Sequence, residues 1–205
     1  MVFGALFGVF SMEADAASSF FFGGGLAGDW SKVEGIYLPD NSKHSENLNM
    51  IGGILSLGSW IDMNASLWRF AGVINVSLTG NESTTYHLGG NEVKTTTNGV
   101  SPEFEFRIGR VIGQDGCIVF LSGSGRYMKS KLEAKKPQNQ EEKVTSSRVC
   151  PTIGLGFASR VNFSNKIGWG ACVNYSFRSS TRGTDYELKN KDSVGVRVFV
   201  TWNSL

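Results

Sequence analysis

Between Ile167 and Phe177 the residues sort by parity. Ile167, Trp169, Ala171, Val173, Tyr175 and Phe177 fall on one side of an extended chain, and Gly168, Gly170, Cys172, Asn174 and Ser176 on the other. A period of two is the mark of a strand. The apolar side runs unbroken over about ten residues with an aromatic near each end, as expected of a tilted strand crossing a bilayer with its other side toward a polar interior.

The pattern recurs. Eight candidate strands cover approximately 19–30, 49–61, 65–78, 102–112, 117–129, 148–161, 167–178 and 193–202. In the third, Trp68, Phe70, Gly72, Ile74, Val76 and Leu78 oppose Arg69, Ala71, Val73, Asn75 and Ser77. In the fourth, Phe104, Phe106 and Ile108 oppose Glu103, Glu105 and Arg107; in the eighth, Val194, Val196, Val198, Val200 and Trp202 oppose Gly195, Arg197, Phe199 and Thr201. Charges take the inward side, the sorting that lipid exposure demands. The second and fifth strands stay unassigned, because Trp60 and the pair Leu55/Leu57 differ in parity. Only 40% of the 205 residues are hydrophobic and no apolar run nears the roughly 18 residues of a spanning helix. In a membrane barrel that is the normal dilution, since every second residue faces inward.

Connections after the second, fourth and sixth strands are tight: Asp62-Met-Asn64, Gly113-Gln-Asp-Gly116 and Asn162-Phe-Ser-Asn-Lys166. Those after the first, third, fifth and seventh are long, on the order of 15 to 23 residues. Strict alternation puts short turns on the periplasmic side and four polar loops with mobile tips outside. Lysines and glutamates around Lys129 to Lys143 and Lys189 to Lys191 read as solvated loop charge, and no basic stripe interleaved with aromatics suggests nucleic acid. Under this topology Trp60, Trp68, Trp169 and Trp202 lie near the periplasmic ends, and Trp30, Tyr127, Phe104, Tyr175 and Phe177 toward the outer ends. Trp68, Trp169, Trp202, Tyr175 and Phe177 are the expected lipid-interface anchors.

Gly23-Gly-Gly-Leu-Ala-Gly28 behind Ser18-Ser-Phe-Phe-Phe22, the hairpin of Pro151-Thr-Ile-Gly-Leu-Gly-Phe157 with Ile167 to Phe177, and the terminal Val194 to Trp202 resemble the small eight-stranded outer-membrane barrels of the opacity-protein and outer-membrane-protein-A type. The resemblance implies an all-β, antiparallel up-and-down transmembrane barrel on a Gram-negative surface, with the role of an adhesin or surface antigen. One departure is that Trp202 is followed by Asn203-Ser-Leu205, whereas such barrels commonly end on an aromatic.

Chemistry is sparse. His44 has Ser42, Ser45 and Glu46 nearby in sequence, and His87 has Glu82, Ser83 and Glu92, but both fall in expected outer loops, so no enzyme is expected. Gly23-Gly-Gly25 lacks the Lys-Ser/Thr of a phosphate loop and reads as close strand packing. Cys117, Cys150 and Cys172 have neither Cys-x-x-Cys nor metal-ligand spacing, so no metal or cofactor is expected. Arg69, Glu103, Glu105, Arg107 and Arg197 read as a charge-paired plug, since an eight-stranded barrel is just wide enough for side chains to fill it.

The run Met1 to Phe10, ending before Ala14-Asp-Ala16, reads as a signal peptide over 1–16 that lacks a basic n-region, with a truncated start or a buried apolar segment as the alternatives. The barrel then spans 17–205. The expected function is structural or host- and surface-recognising, through four outer loops, with outer-membrane lipid as partner. The rivals are a lipid-modifying barrel enzyme and a soluble lipocalin-like barrel whose Val194/Val196/Val198 face would turn inward.

Overall fold

The computed structural model describes residues 18–63, 67–113, 117–136, 140–159, 167–177 and 179–203. The expected signal segment, the whole Asn162–Lys166 turn and most of the Gly113–Gly116 turn lie outside the described residues. Among the described residues twelve strands form: β1 Ser18–Tyr37, β2 Ser42–Asp62, β3 Trp68–Thr79, β4 Glu82–Leu88, β5 Asn91–Thr97, β6 Val100–Ile112, β7 Cys117–Lys135, β8 Glu141–Ala158, β9 Ile167–Ser176, β10 Ser179–Arg182, β11 Tyr186–Asn190 and β12 Ser193–Asn203. Eight of them close an antiparallel barrel in the order β1-β12-β9-β8-β7-β6-β3-β2, with β2 pairing back onto β1. From Trp30, paired residues lead through Val194, Tyr175, Ile153, Gly123, Phe106, Gly72 and Ser59 to Phe20, ten residues from the start on the same strand. With that stagger the strands tilt by about 35 to 45°.

Parity decides which side of the wall each residue takes. Leu26, Leu55, Phe70, Phe106, Ile108, Leu121, Leu155, Val173 and Val198 are all exposed outward, while Val73, Glu105, Arg107, Phe120 and Arg197 are buried inside. The Val194/Val196/Val198 face is therefore outermost, the reverse of a lipocalin. Leu55 and Leu57 point out and Trp60 points in, 7% exposed, so Trp60 belongs to the core rather than to the aromatic belt. One charge breaks the inward rule: Arg110 is exposed outward opposite Trp68, near the periplasmic end, where its long side chain can reach the headgroup region. Gly23 shows why small residues sit where β1 meets β12. A Cβ there would lie 2.7 Å from the Val200 carbonyl oxygen, so these glycines serve close strand packing.

The long connections are not loops. β1 and β2 run on past the apolar band to a tight turn at Leu38–Asn41, where Ser42 N–H donates to Asp40 Oδ1 (2.8 Å) and Asn41 takes φ 57°. The connection after β3 folds into the β4–β5 hairpin, turning at Gly89-Gly90 with positive φ at both residues, and β5 pairs with the outer half of β7. The connection after β9 folds into β10–β11, and β11 pairs with the outer half of β1. Two four-stranded sheets result, β10-β11-β1-β2 and β4-β5-β7-β8, facing each other across a shared core of Val33, Leu48, Leu88, Val93, Leu132, Val144, Tyr186 and Leu188. The expectation of mobile polar tips is thus replaced by a packed outer sandwich. Inward apolar residues alternate there with outward Lys, Glu and Thr, which lowers mean hydropathy without abolishing a core.

Candidate functional site

The interior is layered. At the periplasmic end Phe21, Trp60, Val73, Val111, Ile118, Phe120 and Phe199 make an apolar floor, with Trp60 edge-on to Phe120 at 6.1 Å between centroids. Arg107 joins this floor to the charged layer above, its guanidinium carbon lying 4.7 Å from the Phe120 ring centroid and 5.3 Å from that of Phe199.

In the middle layer Glu105 is the hub. Arg107 Nε donates to its Oε1 (2.9 Å) and Nη2 to its Oε2 (3.0 Å), and Asn75 Nδ2 donates to Oε2 (2.7 Å). Ser56 Oγ in turn donates to Asn75 Oδ1 (2.7 Å). Arg197 pairs with Glu103 through both terminal nitrogens, Nη1 at 3.2 Å, and approaches Glu105 at 3.9 Å. Four of the five residues read from the sequence as an interior charge network, Glu103, Glu105, Arg107 and Arg197, are brought together. Arg69 is not: it pairs with Asp62 (2.7 Å) toward the periplasmic end, 15% exposed at the side chain. Sequence reasoning missed a buried bidentate pair, Arg126 with Asp29, because Arg126 stands on a strand whose faces were ambiguous and Asp29 adjoins the belt residue Trp30.

The five aromatics named as interface anchors, Trp68, Trp169, Trp202, Tyr175 and Phe177, are all exposed on the outer wall. Tyr175 OH also donates to Asp192 Oδ2 (2.6 Å). Tyr175 and Phe177 stack edge to face at 5.3 Å, as do Phe157 and Trp169.

The two histidines part company. His44, on β2, stacks on Tyr86 of β4 with centroids 4.0 Å apart, and its Nε2 lies 3.2 Å from Glu46 Oε2. The contact spans the junction between the two outer sheets, and Tyr86 OH lies 2.9 Å from Thr95 Oγ1. Burial raises the Tyr86 pKa, keeping the phenol neutral. His87 points outward opposite Glu92. No cluster of His, Cys, Asp and Glu suited to a metal occurs among the described residues.

At the opposite junction Lys136, just past β7, bonds Asp185 (2.5 Å) and Glu142 (2.8 Å), while Glu142 Oε1 accepts from the backbone N–H of Thr184 (2.9 Å) and Asp185 (3.0 Å). Burial alone would raise the Glu142 pKa; the Lys136 ammonium and the Asp185 N–H outweigh it and hold the carboxyl below its ordinary value. The bonds to Asp185 and Glu142 push the Lys136 pKa up. On the outer face of the second sheet, charges alternate across strands: Lys94, Glu133 and Lys143 lie in one row and Glu92, Lys135 and Glu141 in the next. The Lys131 hydrogen bond, with Lys143 and Lys94 nearby, lowers the Glu133 pKa.

A closed barrel with an apolar outer band, aromatic rims and a polar sandwich at one end defines a transmembrane β-barrel of the bacterial outer membrane. The outer membrane protease OmpT of Escherichia coli has a similar structure, with a TM-score of 0.51 at 10% identity over 95% of this chain and 98% of that one. Ail, the attachment invasion locus protein of Yersinia pestis, aligns with a TM-score of 0.40 at 13% identity over 89% and 98%. Neisserial surface protein A aligns with a TM-score of 0.35 at 12% identity, also over 89% and 98%. No family model and no curated protein matches the sequence.

Proposed function

We propose that the chain is a non-enzymatic surface-recognition protein, an adhesin or surface antigen, whose outer sandwich meets host or environmental ligands while the barrel holds it in lipid. The observation that carries this reading is the sandwich itself. Four connections that could have been short are instead folded onto a core of their own and project beyond the apolar band. Such a body presents a fixed surface of alternating Lys, Glu and Thr, and a preorganised surface binds without the entropic cost of ordering a loop. A non-enzymatic role is supported by the placement of His44, whose ring is stacked on Tyr86 and whose neighbour is a carboxylate rather than a serine hydroxyl.

In the same reading Glu103, Glu105, Arg107 and Arg197 plug the barrel, and Trp68, Trp169, Trp202, Tyr175 and Phe177 anchor it at the interfaces. Residues 1–16 act as a signal peptide cleaved after Ala16, which N-terminal sequencing of the mature protein checks. The decisive experiment compares binding of host cells and matrix glycans by bacteria displaying the wild-type chain and a variant with Glu82–Thr97 replaced by a short Gly/Ser linker. The variant should keep heat-modifiable migration and lose binding. Equal binding by the two would remove the sandwich from recognition, and peptide or lipid turnover by the pure protein would make it an enzyme.

A further inference from the structure

Between the Arg126–Asp29 pair and the outer apolar core the inward positions change character. They become small and hydroxylic: Thr97, Ser130 and Ser146 stand in register across β5, β7 and β8, and Asn190 pairs with Ser179 across β11 and β10. Some of these groups satisfy one another, as Thr97 Oγ1 with Ser130 Oγ (3.3 Å) and Asn190 Nδ2 with Ser179 Oγ (3.3 Å). Others do not. Arg126 Nε, Asn190 Oδ1 and Ser77 Oγ are buried without a protein partner, as are Ser31 Oγ and Thr181 Oγ1. Arg126, Asn190 and Ser77 are each more than nine-tenths buried. Buried polar atoms in proteins nearly always have a partner, and where protein supplies none, a bound polar molecule does.

One seam of the sandwich borders this layer. Above Thr152, where its ladder with β9 stops, β8 keeps a strand ladder with β7 alone among the described residues, and β10 forms the free edge of the facing sheet. The seam between them is fastened at the top by Lys136, Glu142 and Asp185 and at the bottom by Phe177 N–H to the Pro151 carbonyl (3.0 Å). In between, Arg148 has inward parity, flanked by the buried Ser146 and Cys150, yet its side chain is exposed. Cys150 Sγ lies 3.9 Å from Ser179 Oγ across the same seam.

We propose that this layer is a hydrated chamber that takes small uncharged polar molecules, and that the β8–β10 seam is its door. Charge on its floor is balanced, because Arg126 is matched by Asp29, so what remains unpartnered is one N–H, one amide oxygen and three hydroxyls. That set suits water or a compact hydroxylated solute rather than an ion.

Cys150 is the natural reporter. The wild-type protein, refolded in lipid vesicles, is treated with methyl methanethiosulfonate, and modification of each cysteine is followed by peptide mass spectrometry. Cys150 at the door should react at least tenfold faster than Cys172, which is buried beside the charged layer. A maleimide on a polyethylene glycol chain should leave both untouched. Lys136→Ala should speed Cys150 severalfold without moving Cys172, and Ser179→Phe, which covers the thiol, should slow it, with heat-modifiable migration confirming that each variant is folded. Cys150 reacting no faster than Cys172, or unaffected by both variants, would overturn the proposal.

Discussion

Arg126 and Asp29 lie 97 residues apart in sequence and meet inside the barrel in a two-pronged pair, with both N–O distances 2.6 Å. Both side chains are buried, and each supplies the charge that compensates the other for leaving bulk water. Asp29→Ala should lower unfolding free energy in bilayers by about 3 to 5 kcal/mol, because it strands a buried guanidinium. Replacing both, as Asp29→Leu with Arg126→Met, should recover most of that loss. Guanidinium titration of vesicle-embedded protein measures both.

Lipid exposure of the outer wall makes a second prediction. Arginine at Val173 or Val198, both exposed on the outer wall, should cost about 2 to 4 kcal/mol in the same assay. Arginine at Thr145, exposed on the sandwich, should cost little. Similar losses at all three positions would refute the assignment of faces.

The Glu142 clasp sets a pH dependence. Its folded pKa lies below the ordinary glutamate value of 4.5, so its contribution is complete above that pH and is lost as pH falls through the folded value. Stability of the outer sandwich, followed by amide hydrogen exchange of its strands at each pH, should fall off only below about pH 4.5. Glu142→Gln should flatten the profile.

Because Lys135 lies in β7 and Lys189 in β11, intact cells should show slow cleavage there at neutral pH, and Lys136→Ala should accelerate it. Rapid wild-type nicking would mean that the sandwich does not hold together in place.

An apolar floor that includes Trp60 and Phe120 lies beneath the charged layer and should oppose the passage of ions. Planar-bilayer recordings of pure protein should show no steady conductance. Glu105→Ala should destabilise the barrel, since it leaves Arg107 without its carboxylate.

Period-two alternation made the barrel legible wherever one side of a strand faced lipid: the stretches from Trp68 to Leu78 and from Val194 to Trp202 have the faces their parity predicts. The sandwich was illegible to the same reasoning because its outward side faces water. Leu132, Val144 and Leu188 sit among lysines and glutamates that, taken together, resemble solvated loop. A finer signal was available in Leu88-Gly-Gly-Asn91, a two-glycine hairpin turn between alternating residues. Arg69 was misplaced for another reason. Parity gives the side of the wall but not the height along the barrel, and height chooses between Asp62 and Glu105.

The glycines along β1 have a consequence for how the molecule is made. The ladder they serve pairs Phe21 with Asn203, the partners most distant in sequence among the described strand pairings. High contact order of this kind slows folding, and until closure both terminal strands present open edges that can pair with another chain. Speed and fidelity of assembly therefore rest on a backbone approach that an added methyl group at Gly23 would obstruct.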